Sequence, residues 1–308
     1  MAARPRLLSP RAWLRRGREF TELFLLPVAL TLLPWAWVLR LTRGLSRWQG
    51  WYVEEIRESV ARAERCGWAP DAAAFARRLR WRLLIEHMDC FLVPMRGRGY
   101  LRRWVRASGD ALPDRGPVMF IGTHHGCGYW FLPYAKSLGL CPNIVAPRLG
   151  PLLSRSSLFG NLYVRLRHKL IAFAAGRPLV YRGNAGEAVR QILIEGDCGF
   201  GLCDMPTNRP DAIEVELAGL DTRLAQNMFE IAAAAGAPVY LFATDTDLDS
   251  GQRQIHFQRV DALQIEDQVR AFAAMLDASI RRDPSGWRFW SIAHAFFPGR
   301  FPEAHWRP

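Results

Sequence analysis

The chain opens on a basic arm carrying Arg4, Arg6, Arg11, Arg15, Arg16 and Arg18, then becomes uncharged from Leu23 to Leu39. That run of 17 residues sits at the short end of the ~17–25 that cross a bilayer. Pro27 and Pro34 interrupt it, Trp35 and Trp37 lie near its end, and Arg40, Arg43 and Arg47 follow. Indoles favour the membrane–water interface. With basic residues on both flanks the run predicts a membrane-anchoring helix, either spanning or lying in the plane of the cytoplasmic leaflet. A buried core helix is the plainer alternative. No small-residue cleavage site follows, so the segment is expected to be retained.

From Tyr52 to Leu101 apolar and basic positions recur at helical spacing, clearest over Ala72–Arg82, with Asp71 placed as an N-cap. Arg102 to Asp114 reads as a polar connector. Beyond it the pattern alternates. Val118–Ile121, Asn143–Ala146, Leu170–Ala174, Cys198–Cys203, Ile213–Leu217, Val239–Ala243 and Gln254–Arg259 read as short strands. Trp130–Leu138, Leu152–Arg167, Ala185–Glu195, Arg223–Ala235 and Glu266–Arg282 read as helices, and Gly219, Gly236 and Pro284 fall at element ends. Such alternation predicts an α/β fold, a central sheet flanked by helices, preceded by an N-terminal membrane-associated helical region. The expected divisions are 1–50 for the basic arm and anchor, 51–114 for the helical region and 115–308 for the α/β core. No internal repeat or low-complexity tract is present.

Composition narrows the class. Half the residues are hydrophobic, so the chain can bury a large core. Net charge is +12, and Lys136 and Lys169 are the only lysines, so the excess is arginine. This favours anionic partners, and guanidinium forks suit phosphate. With no zinc finger, RNA-recognition signature or basic recognition helix, a nucleic-acid role ranks below a phospholipid surface. The six cysteines form no C-x-x-C pair and read as reduced thiols.

Candidate chemistry concentrates in Pro117–Trp130, PVMFIGTHHGCGYW, where an apolar strand breaks into a turn bearing His124 and His125. Strand ends at the rim of an α/β sheet are where ligands bind. Histidine suits proton transfer near neutral pH but needs an acid to hold its tautomer. None follows closely: Tyr129 stands five residues after His124. Tyr129 could accept a hydrogen bond from His124. Among carboxylates Asp204, at the end of its own strand, is the first candidate to support the imidazole, and Asp89 a distant second. His125 could stack or bind phosphate, and Cys127 invites a less favoured covalent-acyl reading. The bland readings are a histidine satisfied by backbone groups and an aspartate serving a turn before Met205-Pro206.

These residues resemble a known family. Gly122-Thr-His-His-Gly-Cys-Gly-Tyr129, Gly186–Asp197, Phe200–Asp204, Ala237–Phe242 and Asp283–Trp287 follow, in order and spacing, the motifs of the bacterial lipid A late acyltransferases. The resemblance covers roughly Pro117 to Phe297, with a hydrophobic anchor before it. That family carries Glu or Asp where Tyr129 stands, and its Arg-Asn helix signature is missing from Tyr52–Leu101. The resemblance implies a glycerolipid acyltransferase-like fold and a monomer at the cytoplasmic side of the bacterial inner membrane. It implies transfer of a fatty-acyl group from acyl carrier protein or acyl-CoA to a hydroxyl of a glycolipid or related amphiphile. His124, His125, Tyr129 and Asp204 would form the catalytic set and Arg148, Arg165 and Arg167 would bind substrate, with no metal and no cofactor. The other reading is a catalytically inactive relative that binds acyl lipid or acyl carrier protein.

Overall fold

The computed structural model describes residues 10–146, 149, 158–181, 185–262 and 264–301. Its centre is strand β2 (Val118–Gly122), buried at every position because helices cover both faces of the sheet. β2 pairs in parallel with β5 (Cys198–Leu202) on one side and β8 (Val239–Thr246) on the other. Around it a seven-stranded sheet runs β1-β9-β8-β2-β5-β3-β4, with β1 at Val105–Gly109, β3 at Asn143–Ala146, β4 at Val180–Tyr181 and β9 at Arg253–Val260. All pairings are parallel except β8 with β9, so the sheet is mixed. A separate hairpin pairs β6 (Ile213–Leu217) with β7 (Leu220–Leu224).

Alternation along the strands sorts the core into two layers. Val118, Phe120, Phe200, Tyr240 and Phe242 face helices α5 (Ala72–Trp104) and α6 (Phe131–Ser137). Phe131 stacks on Phe242 at 4.1 Å between ring centres, and each such fully buried ring contributes about 1.5–3 kcal/mol. Met119, Ile121, Leu241 and Ala243 face the other layer, α8 (Ala185–Ile194), α9 (Asn227–Ala234) and α10 (Ile265–Arg282). A third cluster joins α4 (Val53–Arg65) and the first half of α5 to α10 and to the C-terminal turns through Trp287, Trp290 and Phe296. The expected helical region at 51–114 therefore shares its cores with the α/β part.

Several elements differ from their expected form. The polar connector contains β1, whose sequence VRASG buries only Val105 at the sheet edge and so carries no apolar alternation. Leu170–Ala174 is not a strand but the last turns of α7 (Leu158–Ala175); a short apolar run does not distinguish the two by periodicity. Arg223 belongs to β7, and its helix starts only at Asn227. Asp71 does cap α5, its carboxylate accepting from the Ala74 amide at 2.9 Å. The uncharged N-terminal run is not one helix: α1 (Pro10–Phe20) continues through a π-helical turn (Thr21–Leu25) into α2 (Leu26–Thr31), and Pro34 then starts α3 (Trp35–Leu45). Among the described residues no helix is long and apolar enough to cross a membrane.

A candidate acid–base site at the ends of two parallel strands

Strand register brings the site together. β2 and β5 pair with Gly122 beside Leu202. Continuing that register two residues past both strands puts His124 beside Asp204. The contact is direct. His124 Nδ1 and Asp204 Oδ1 are 2.7 Å apart, and the His124 backbone amide donates to Oδ2, also at 2.7 Å. A carboxylate can only accept, so Nδ1 is the donor, and in the neutral ring that leaves the lone pair on Nε2. The Asp204 side chain is wholly buried, whereas His124 is 30 % exposed, so the free nitrogen sits on an imidazole that solvent and ligands can reach.

The turn is fixed from three sides. Gly126 holds φ +62°, a conformation other residues adopt at a cost, and a Cβ there would lie 2.4 Å from the Thr244 carbonyl. Its amide donates to the Gly286 carbonyl, and the Arg288 amide donates to that of His124, so the C-terminal segment is stitched along the turn. His125 lies inside this seam. It is buried, its Nε2 donates to the Asp283 carbonyl at 2.9 Å, and its ring abuts Gly286 so closely that an added Cβ would lie 2.5 Å away. Burial, then nearby Arg82, lowers its pKa. In this structure His125 is buried against the Asp283 and Thr244 carbonyls and holds the turn to the C-terminal segment.

Tyr129 does not meet His124. Its ring is buried behind the turn, and its hydroxyl donates to the Leu170 carbonyl at 2.8 Å. Burial raises its pKa, so it remains a neutral phenol. Asp89 is also elsewhere, paired with Arg253 in the core. Burial, then the neighbouring Asp89, pushes the Cys127 thiol far up, which leaves no thiolate for covalent acyl transfer.

Of the arginines, Arg148 lies outside the described residues. Arg165 and Arg167 both sit on α7. Arg165 is exposed on its outer stripe. Arg167 is also exposed, on the opposite side of the helix near Tyr163. Two residues unmarked in the sequence complete the surroundings. Phe289 packs on the His124 ring, 4.5 Å between ring centres. Arg288 reaches back to Glu55 at 2.8 Å and Glu86 at 3.4 Å. Only the Asp283–Trp287 motif pointed toward this segment. Its Asp283 serves as an anchor: although burial raises a carboxyl's pKa, Arg82 and Arg78 pull this one well below the usual range. A cavity of about 740 Å³ lies against Phe296 and the β6–β7 hairpin, but neither His124 nor Asp204 lines it. No group of side chains among the described residues is arranged to hold a metal.

Compared with known proteins, the chain matches no family model and no curated protein.

Proposed function

We propose that this chain is an O-acyltransferase of the lipid A late-acyltransferase type, with His124 as general base. The observation that supports the reading is the His124–Asp204 pair, buried acid behind an accessible imidazole, at the rim of an α/β sheet. In this reading Asp204 takes the role that the resembled family gives to an acid five residues after the histidine. The donor is an acyl thioester of acyl carrier protein or coenzyme A, and the acceptor is a hydroxyl of a glycolipid or related amphiphile.

The step follows from the tautomer. Nε2 takes the proton of the acceptor hydroxyl as its oxygen bonds to the thioester carbonyl carbon. The tetrahedral intermediate collapses, the C–S bond breaks, and the imidazolium returns the proton to the departing thiolate. Asp204 keeps Nδ1 protonated and stabilises the transient cation. In this reading the exposed Arg167 is the guanidinium suited to phosphate on the donor, since Arg288 beside Phe289 is already paired with Glu55 and Glu86.

The test is incubation of purified protein with labelled acyl-carrier and acyl-CoA donors and a bacterial lipid extract. Labelled acyl-lipid should form with at least one donor. Tight binding of acyl donor with no product would replace this reading with that of an inactive, acyl-binding relative.

A further inference from the structure

The helices over one face of the sheet carry an unusual surface. α7 presents Leu158, Leu162, Arg165, Lys169 and Phe173 to solvent, and their spacing places all five on one stripe. Leu162 is 51 % and Phe173 54 % exposed, although both could have been buried against a neighbour. α3 shows a matching stripe, with Trp37 and Leu41 exposed beside Arg40 and Arg43. α1 adds Trp13 and Leu14, 63 % and 75 % exposed, next to Arg15 and Arg18.

These helices are linked by packing. α1 lies against α7, where Phe20 packs on Phe159 with 5.1 Å between ring centres, while α2, α3 and α7 pack on α5. Neither α3 nor α7 contains an aspartate or glutamate. Apolar and indole side chains interleaved with arginine, with Glu19 of α1 the one carboxylate on the three helices, have the chemistry of helices lying in the headgroup region of an anionic bilayer.

We infer that α1, α3 and α7 seat together on an anionic lipid surface, in plane and without spanning it. The contact goes beyond an N-terminal anchor, because α7 lies far along the chain. The inference rests on surface chemistry alone and holds whether or not His124 is a base.

Flotation of the full-length protein with vesicles tests it. Binding is expected to phosphatidylcholine vesicles containing phosphatidylglycerol, to be weak on phosphatidylcholine alone, and to fall as salt rises. Two charge-inserting pairs separate the helices: Leu162→Glu with Phe173→Glu, and Trp37→Glu with Leu41→Glu. Each should lower vesicle binding about tenfold or more, since each removes two inserted apolar side chains. All four positions are exposed, so circular dichroism and melting should be unchanged. Binding that survives the α7 pair overturns the inference in favour of an N-terminal anchor only. Equal binding to both vesicle types, or a stable dimer in light scattering that both pairs dissolve, overturns it as well.

Discussion

Asp89→Ala isolates a fully buried ion pair inside the fold. Arg253, at the start of β9, is 1 % exposed and its Asp89 partner on α5 is wholly buried. The guanidinium Nε and Nη2 donate to the two Asp89 oxygens, Nη1 donates to both Tyr100 Oη and the Gly251 carbonyl, and the rings of Trp35, Tyr100 and Trp130 surround it, Trp35 at 4.4 Å. Burial works against this cation, and Asp89 together with Tyr100 and Cys127 more than offsets it. Removing the carboxylate leaves a charge in the core with no route to water, and breaking such a pair costs about 3–5 kcal/mol. At roughly 2–4 °C per kcal/mol for a chain of a few hundred residues, the melting midpoint should fall by about 6–20 °C. Replacing both partners with apolar residues of similar size, Asp89→Leu with Arg253→Met, should recover most of that loss. Scanning calorimetry of the two single variants and the double variant gives the coupling. An Asp89→Ala protein melting within about 2 °C of wild type would refute the reasoning, because the pair would then have no net role.

Tyr129→Phe should leave acyl transfer within a few-fold of wild type and cost about 1 kcal/mol, since the hydroxyl serves the Leu170 carbonyl and not His124. Tyr129→Glu, which would restore the family's acid in sequence, should lower the urea midpoint and rescue nothing, because it buries a charge where a ring now packs. Acidification should destabilise the fold. Burial lowers the pKa of His87 and His125 beneath the ordinary 6.5, so below that value the unfolded chain binds protons the folded chain refuses. Stability is thus lost as pH falls below about 6.5, and a urea midpoint unchanged or higher at pH about 5 than at about 7.5 would contradict this.

The sequence showed the sheet more clearly than the site. Strands such as β2, β3, β5 and β8 announce themselves because central parallel strands are continuous apolar runs between Gly and Pro breaks. β1 did not, since an edge strand with four exposed residues looks like a connector. At the site, His124 and Asp204 each stood out as the polar residue after such a run, and Asp204 was the leading acid on that ground. What no pattern carries is register: only the pairing of Gly122 with Leu202 decides that residues 80 apart come to 2.7 Å. The resemblance gave position 129 weight as the place of an acid, yet its side chain turns into the core toward α7. Phe289 and Arg288 carried no signal, because an aromatic and an arginine after a tryptophan read as ordinary packing and solvation.

The central claim is that Asp204 sets the tautomer of a catalytic His124. The most direct measurement is kcat for acyl transfer by Asp204→Asn beside wild type and Tyr129→Phe. Asparagine keeps the shape but cannot accept from both the His124 amide and Nδ1–H, so Nε2 loses its defined lone pair. By analogy with the orienting acid of serine proteases, kcat should fall about 10³–10⁴-fold at near-constant melting temperature, with Tyr129→Phe almost unaffected. Asp204→Asn turning over within about tenfold of wild type would contradict the account, since His124 would then need no partner in that position.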